Sequence, residues 1–515
     1  MEITKNSMKR NLIEYLVETV KQKQHSTAVI EKEHEISFDQ LYCRIVVLGY
    51  HIFEKADVIN KPIAVYLPKS IHCVVADLGV MISGNAYLNL DIKSPQQRIE
   101  NILKVVQPEF LITIRSLVKS IEAVFPLDRV IIIDELGDGS KMNDHILLER
   151  LRSRSIDTDI SCIINTSGST GTPKSVALNH RSFVDFIEVS DEIFQFSRTE
   201  VIGSLSPVIF DIFSYELCML ISKGSTMVVL PENMTAFPIK ILEEMQRTEV
   251  SFIFWVPTIM VNIANMDLLP KVNLNHLKLV WFAGEVFPTK QFNYWKKTLA
   301  HTKFANLYGP IEITLDCTYF IIDRDFDDNE PLPIGIPYRN TDILIITDEN
   351  KLAIKGEEGE LCVRGSSLAM GYYNNPEKTA AAFVQNPLNP HYPETIYRTG
   401  DIVATNEQNE IIFKGRKDTL IKHLGYRIEL GEIEHTVVNT LKIAKNACCV
   451  YNHANKEIVL YYENDFDIEA ALFRKELLIS LPKYMIPTQY VRYDEMPRNP
   501  NGKIDRAFLN RQANP

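Results

Sequence analysis

Thr166-Ser167-Gly168-Ser169-Thr170-Gly171-Thr172-Pro173-Lys174 follows the apolar run Cys162-Ile163-Ile164 and has the composition of a phosphate-binding loop. Its two glycines allow close backbone approach, its hydroxyls and amides can surround phosphate oxygens, and Lys174 adds a positive charge. The P-loop NTPase pattern is excluded, because that pattern has glycine directly before its lysine and Pro173 stands there in this chain. This stretch alone also leaves open a flexible Ser/Thr/Gly linker.

The composition predicts a globular protein of two or three lobes, since the chain has 515 residues of which 45% are hydrophobic. Lys and Arg total 55 against 66 Asp and Glu, a net charge of −11, so nucleic acid is not an expected partner. The eight cysteines show no metal-binding spacing, which favours reduced thiols in a cytoplasmic protein. Neither a signal peptide nor a membrane span is expected, because no sufficiently long apolar run occurs.

Short apolar runs alternate with segments of helical periodicity through the first 300 or so residues, a pattern typical of buried parallel strands with crossover helices. Near residue 330 the pattern changes to short strands between Gly, Asn and Pro turns, which indicates a β-rich lobe. A compact tail that mixes strands and helices is expected after Gly415. In such sheets the chemistry gathers at the carboxyl ends of the strands.

Further segments combine residue types that nucleotide chemistry uses. Within 306–312, Asn306 can pair with an adenine edge, Tyr308 can stack on a base, and Glu312 can hold Mg²⁺. Asp401 follows a turn and suits the hydroxyls of a ribose, whereas Lys503 follows a sharp turn near the chain end. Taken singly, each segment is also compatible with an ordinary surface turn carrying solvated charges.

Several more segments appear in a characteristic order. They are Gly84-Asn85-Ala86-Tyr87, Gly359-Glu360-Leu361, Gly371-Tyr372, Gly415-Arg416-Lys417-Asp418, the interleaved charged and apolar stretch 420–434, and Leu481-Pro482-Lys483-Tyr484-Met485-Ile486-Pro487. With the loops above, they resemble the adenylate-forming superfamily over nearly the whole chain. The resemblance is strongest to amino-acid-activating adenylation domains of nonribosomal peptide synthesis and to D-alanine and L-prolyl carrier-protein ligases.

The resemblance implies an α/β fold with two domains. A large N-terminal domain of stacked αβα sheets, 1–417, would include the β-rich lobe near 330–417, and a small mobile α+β domain, 418–515, would rotate about a hinge at Asp418. It also implies two half-reactions in one site. An amino acid and Mg·ATP would give aminoacyl-AMP, and the phosphopantetheine thiol of a separate carrier protein would then take the aminoacyl group.

The resemblance assigns catalytic roles to Lys503, Glu312 and Thr166, with Glu312 as the Mg²⁺ ligand. The residues that it assigns to ATP are Thr166, Ser167, Gly168, Ser169, Thr170, Gly171, Lys174, Gly284, Glu285, Asn306, Leu307, Tyr308, Gly309, Asp401, Arg416 and Lys503. Those that it assigns to the amino acid are Asp211, Ile212, Tyr215, Phe254, Trp281, Ala283, Leu307, Leu315, Asp316 and Lys503.

Within this pocket, Asp211 would bind the α-ammonium group of the substrate, and it is also a candidate N-cap for a following helix. Asp316 is unusual beside apolar walls, since an unpaired buried carboxylate costs several kcal/mol. A substrate hydroxyl or a second amine would pair with it, whereas Ala283 and Leu307 with Phe254 resemble the pocket of L-prolyl carrier-protein ligases. The prediction is therefore a small polar or cyclic amino acid. The alternatives left open are an acyl- or aryl-CoA synthetase of the same superfamily and a non-catalytic nucleotide-binding relative.

Overall fold

The computed structural model describes residues 9–137, 143–167, 173–417, 419–499 and 503–514. A six-stranded sheet lies in the first part of the chain, and its neighbouring strands are parallel except for the last, antiparallel pair. In spatial order its strands are Val130–Ile132, Leu111–Thr113, Pro62–Val65, Ala86–Asn89, Ile160–Thr166 and Lys174–Asn179.

A nine-stranded sheet forms the second layer. It is parallel in its centre and antiparallel at both edges, where hairpins extend it. In spatial order its strands are Ile336–Pro337, Thr318–Ile321, Lys303–Tyr308, Leu279–Phe282, Phe252–Trp255, Val201–Ser204, Thr226–Val229, Thr27–Glu31 and His34–Ser37. The central strands are continuous apolar runs because helices cover both of their faces.

One hydrophobic core joins the two sheets, and helices between them are buried almost all round. A second core lies on the outer face of the nine-stranded sheet. The helices of this region are Ile13–Lys23, Phe38–Lys55, Ile71–Ile82, Gln96–Val106, Val118–Ile121, His145–Arg154, His180–Phe194, Asp211–Lys223, Pro238–Arg247, Pro257–Asn265 and Thr289–Thr298. Short 3-10 turns join several elements, among them Ile311–Ile313 beside the site described below.

An antiparallel sheet follows the nine-stranded one, as the turn-rich composition predicts. Its strands are Thr341–Ile346, Gly359–Gly365, Phe383–Gln385, Thr395–Thr405 and Ile411–Arg416, and the helix Pro376–Ala382 precedes the third of them.

The tail begins with the hairpin of strands Leu420–His423 and Tyr426–Glu429, called here the tail hairpin. A three-stranded sheet with its own core follows, made of Asn446–Asn452, Glu457–Glu463 and Gln489–Tyr493. The tail helices are Leu430–His435, continued by a π-helical turn Thr436–Thr440, then Ala470–Ser480 and Arg506–Ala513.

The predicted fold class is confirmed. The boundary between 1–417 and 418–515 stays a prediction, and the proposed hinge residue Asp418 lies outside the described residues. The eight cysteines are free thiols. Among the described residues, no helix has the length and apolar character needed to cross a membrane.

Candidate active site

The predicted phosphate-binding loop starts at the end of a strand in the six-stranded sheet. Thr166, the last residue of one strand, lies opposite Lys174, the first residue of its antiparallel neighbour. The Thr166 hydroxyl is buried and has no hydrogen-bond partner among the described residues, so it is free to contact a ligand. Four predicted ATP-binding residues between these strands lie outside the described residues and stay predictions: Gly168, Ser169, Thr170 and Gly171.

Glu312 lies in the 3-10 turn after the strand Lys303–Tyr308, and its side chain is fully buried. One carboxylate oxygen accepts a hydrogen bond from the Tyr372 hydroxyl at 2.8 Å, and the other accepts from the Arg427 guanidinium at 2.6 Å. Burial alone would raise the pKa of Glu312, but the charge and hydrogen bond of Arg427 outweigh it and lower that pKa below its usual value. The carboxylate is therefore ionised and held by a cation.

Asp401 is buried in the strand Thr395–Thr405 and connects two other predicted nucleotide residues. The Tyr308 hydroxyl donates to one of its oxygens, and the Arg416 guanidinium donates to the other. Arg416 also donates to the Thr399 carbonyl at 3.0 Å. The structure thus brings these predicted residues together around a single carboxylate.

The predicted nucleotide residues at the neighbouring strand ends have different environments. Asn306 is buried and donates its amide to the Pro333 carbonyl at 2.8 Å, so one of its two hydrogen-bonding ends is already used within the protein. Gly284 has a φ of +89°, as the turn after the strand Leu279–Phe282 requires. The adjacent Glu285 accepts from the Thr258 backbone N–H at 2.9 Å.

The side chains assigned to the amino-acid pocket share one hydrophobic cluster. Tyr215 stacks on Trp281 with ring centroids 5.2 Å apart, and Phe254 meets Trp281 edge to face at 5.5 Å. The remaining apolar members are also buried in this cluster: Ile212, Ala283, Leu307 and Leu315. The structure therefore brings the predicted apolar walls together, although they come from one helix, three strand ends and the segment after the turn Ile311–Ile313.

Asp211 is the first residue of the helix Asp211–Lys223, and Phe210 is its N-cap. The expectation that Asp211 is the N-cap is thus wrong by one residue, because its backbone already has helical geometry. Loss of solvation raises the pKa of Asp211 to about 6, against smaller opposing effects of the Ile212 N–H and the Lys422 ammonium. The positive end of the helix dipole favours its ionised form, and the carboxylate lies one turn before Tyr215.

Asp316 lies just beyond two residues with left-handed backbone, Thr314 at φ +56° and Leu315 at φ +69°. Such strain in non-glycine residues is characteristic of functional sites. The Asp316 side chain is buried, and its Oδ2 atom has no hydrogen-bond partner among the described residues. Burial first, and the charge of Asp211 second, raises the pKa of Asp316 well above its usual value. It does not turn to solvent.

The tail hairpin covers this region. Lys174 forms an ion pair with Glu429 at 2.8 Å, and Ser167 accepts from the Glu429 backbone N–H at 2.9 Å. The Gly425 N–H donates to Glu285 at 2.8 Å. The Lys422 ammonium lies 5.9 Å from the Tyr308 ring centroid, and loss of solvation lowers its pKa. The hairpin therefore supplies both a cation and an anion to the predicted triphosphate site.

Lys503 is placed elsewhere in this structure. It is exposed, its backbone N–H donates to the Asn499 side chain at 3.1 Å, and its ammonium forms no ion pair with any described residue. The structure therefore does not bring Lys503 into the cluster around Glu312.

Sequence reasoning missed several residues that contact this cluster, namely Arg427, Glu429, Lys422 and Tyr372. The alternation of charged and apolar residues in 420–434 signalled a functional face but not its partners. Tyr372 follows the glycine of Gly371-Tyr372, a pair that the sequence marks only as part of a resemblance.

Comparison with known proteins identifies the family. The model of the AMP-binding enzyme family matches residues 16–373. The chain belongs to this family. It is 31% identical to Tyrocidine synthase 1 of Brevibacillus parabrevis, a match that covers 94% of this chain and 43% of that protein. It is 30% identical to Zwittermicin A synthase ZmaJ of Bacillus cereus, with 94% and 91% covered.

Among solved structures, the AMP-binding fold of this chain is similar to that of the Vibrio cholerae adenylation domain AlmE in complex with glycyl-adenosine-5'-phosphate. The TM-score is 0.84 with 20% sequence identity, and the match covers 99% of each chain. The resemblance inferred from the motifs is confirmed. The chain is an adenylate-forming, ATP-dependent ligase of the adenylation-domain type.

Proposed function

We propose that this protein activates an amino acid as aminoacyl-AMP and transfers it to the phosphopantetheine thiol of a separate carrier protein. The observation that carries the proposal is the position of Asp211. Its carboxylate lies at the start of a buried helix, beside the apolar cluster of Tyr215 and Trp281. A carboxylate in that place needs a cation, and the α-ammonium of an amino acid supplies one.

The nucleotide half of the site is built from groups that bind ATP. Thr166 and Lys174, at the two ends of the loop, would hold phosphate oxygens, and Asp401 would accept from the ribose hydroxyls. Glu312 and the unpartnered Thr166 hydroxyl fit Mg²⁺, which prefers oxygen ligands and is usually bound by one or two carboxylates together with substrate phosphates. When bound, Mg²⁺ neutralises charge that develops on the departing pyrophosphate.

Charge is the main problem of the first half-reaction, because two anions must approach. A carboxylate oxygen of the amino acid attacks the α-phosphorus, and the bond to pyrophosphate breaks. Lys503 is proposed to bridge the substrate carboxylate and the α-phosphate. This requires the tail to rotate from the orientation in this structure, where Arg427 and Glu429 already pair with Glu312 and Lys174.

The orientation in this structure fits the second half-reaction, in which the thiol attacks the acyl carbon and AMP leaves. A cavity of about 210 Å³ lies beside the tail hairpin. Its wall includes Lys69, Lys93, Val208 and Tyr426. We assign this cavity to the phosphopantetheine arm, since its wall is largely apolar and Tyr426 of the tail hairpin forms part of it.

The test is pyrophosphate exchange, with radiolabelled pyrophosphate and a panel of amino acids, aryl acids and fatty acids. Exchange with one or a few amino acids is the expected result. Exchange confined to aryl or fatty acids would instead assign the chain to the acyl- and aryl-CoA synthetases. Absence of exchange with every acid would indicate a non-catalytic relative. Adding a phosphopantetheinylated carrier protein or free CoA in parallel identifies the acceptor, and a carrier-bound thioester is expected.

A further inference from the structure

Six aromatic side chains form a closed ring at the inner end of the substrate pocket, and we call this ring the aromatic cage. Each member contacts the next at centroid distances of 4.6 to 6.0 Å. In order around the ring they are Phe186, Tyr215, Trp281, Phe194, Tyr319 and Tyr338. Only Tyr215 and Trp281 were assigned to the pocket from the sequence, so the other four are new.

Asp316 adjoins this cage. The Tyr338 backbone N–H donates to the carbonyl of Cys317, the residue after Asp316, at 3.0 Å. Burial first, and the charge of Asp316 second, raises the pKa of Tyr338. Burial also raises the pKa of Tyr215, and the charge of Asp316 makes a smaller contribution to that rise. The backbone contact places Tyr338 beside the segment that carries Asp316, and Phe186 connects Tyr338 to Tyr215.

Two buried polar groups at this place have no partner among the described residues, the Oδ2 atom of Asp316 and the hydroxyl of Tyr338. Leaving such groups unpaired costs free energy, so their arrangement indicates a ligand that pairs with both. The indole N–H of Trp281 also lacks a partner, but it needs an acceptor and so lies outside the contact argued here.

A cation satisfies Asp316 better than a neutral hydroxyl does, because a cation stabilises the ionised form that burial and the charge of Asp211 disfavour. Asp211 and Asp316 are two carboxylates in one pocket, and each α-ammonium group neutralises only one of them. In this structure the Lys422 ammonium opposes the rise in the pKa of both carboxyl groups, although burial outweighs it. The proposed rotation of the tail withdraws Lys422 before adenylation, which leaves Asp316 without a counter-charge. Aromatic faces attract cations, whereas they give a hydroxyl no comparable stabilisation.

We propose that the substrate is a diamino acid, whose side-chain ammonium is bound by Asp316 and the Tyr338 hydroxyl inside the aromatic cage. This inference rests on the proposed function and narrows it from a small polar or cyclic amino acid to one chemical class. Asp316 and Tyr338 are specificity-determining residues in this view, since they contact the side chain and not the reacting carboxyl group.

The test compares pyrophosphate exchange for matched substrates, with ornithine, 2,4-diaminobutyrate and lysine against 5-hydroxynorvaline, homoserine and norvaline. A diamino acid is expected to have a kcat/KM at least about 10²-fold above that of its neutral counterpart. Asp316→Asn should remove most of this preference and Tyr338→Phe should weaken it by about tenfold. Tyr392→Phe, at an exposed tyrosine outside the cage, is the matched control and should leave the preference unchanged.

Thermal unfolding and ATP affinity of each variant control for misfolding, because neither depends on the side-chain preference. Exchange with hydroxyl or apolar amino acids in place of diamino acids would overturn the inference and leave amino-acid activation standing. Equal preference in the wild type and in Asp316→Asn would also overturn it. Exchange with aryl or fatty acids alone would overturn the proposed function together with this inference.

Discussion

In the proposed mechanism, Arg427 and Mg²⁺ compete for the Glu312 carboxylate. Its buried carboxylate is neutralised by Arg427 in this structure, and the same carboxylate is the proposed ligand of Mg²⁺. A single carboxylate does not serve both cations at full strength, so in the proposed mechanism we expect Arg427 to leave when Mg·ATP binds. Lys174 has the same conflict between Glu429 and a phosphate. In this structure Arg427 therefore pairs with the carboxylate proposed for Mg²⁺, and Glu429 pairs with the lysine proposed for a phosphate.

The first prediction concerns Lys503. Lys503→Ala is expected to lower pyrophosphate exchange by about 10² to 10³-fold, because a preorganised donor at the α-phosphate is lost. Thioester formation from supplied aminoacyl-AMP should stay within a factor of a few, since Lys503 is exposed in the orientation assigned to that step. Single-turnover measurements of both steps check this. Equal losses in the two steps would remove Lys503 from its proposed role.

The second prediction concerns the acidity of Asp211. Since its pKa is about 6 and the ionised form binds the α-ammonium, kcat/KM for the amino acid should fall as the pH drops below 6. Asp211→Asn should lower kcat/KM at pH 7.5 by about 10²-fold. In this variant the fall in kcat/KM below pH 6 should disappear. The control Asp128→Asn alters an exposed carboxylate and should change neither.

Ionisation of Asp211 is expected to raise activity but to lower the stability of the fold. A carboxyl that is less acidic when folded than when unfolded loses stability as the pH rises through its folded value, so ionised Asp211 opposes folding at neutral pH. Asp211→Asn should therefore not lower Tm at pH 7.5. A marked drop in Tm would mean that the loss of activity reflects misfolding.

At the scale of elements, the strand ends were predictable and the turns that follow them were less so. Apolar runs with helical periods between them predict parallel strands, and their carboxyl ends lie on one side. The segment 306–312 was expected to carry Glu312 in a turn, and the structure shows that this turn follows the strand Lys303–Tyr308. The left-handed backbone of Thr314 and Leu315 could not be predicted, since neither residue type favours that conformation.

Gly335 gives the third prediction, on the turn before the edge strand Ile336–Pro337. Its φ is +87°, and a β-carbon there would lie 1.9 Å from the Tyr319 carbonyl oxygen. Gly335→Ala is expected to lower Tm strongly, with loss of soluble protein. Gly356→Ala is the matched control, because its φ of +83° is equally unfavourable but no atom lies within 4 Å. That variant should cost only about 1 to 2 kcal/mol. Similar Tm values for both would contradict this account.

At the scale of the whole molecule, contacts distant in sequence hold the tail on the site. The Arg98 guanidinium in the helix Gln96–Val106 donates to Glu432 at 2.6 Å, and both side chains are buried. Phe210 meets Tyr426 edge to face at 5.1 Å beside Asp211. These contacts, together with the two ion pairs of the tail hairpin, favour the orientation seen here.

The fourth prediction follows from the competition between the tail and ATP. Glu429→Gln removes the charge that pairs with Lys174, so it should weaken this orientation and lower KM for ATP several-fold. Transfer to the acceptor thiol should become slower in the same variant. Glu349→Gln, which alters an exposed ion pair with Lys351, is the control. An unchanged KM for ATP would show that the pair does not limit nucleotide binding.

The sequence by itself determined the parallel strands with crossover helices, and it predicted the phosphate-binding loop and the residue types at the strand ends, whereas the two stacked layers followed from the family resemblance. These features depend on local patterns, namely apolar periodicity, glycine turns and the order of short motifs. Glu312 and Asp401 could be selected in this way before any coordinates, and Asp211 was selected through the family resemblance.

Only the tertiary structure decided which charges meet. The pairing of Arg427 with Glu312, the hydrogen bond from Asn306 to Pro333 and the ring that places Tyr338 beside Asp316 join residues from separate elements. Their proximity depends on how sheets, lobe and tail pack, and a linear pattern carries no such distances. Burial then fixes the energetic importance of each charge, because a carboxylate needs a partner only after packing has removed its water.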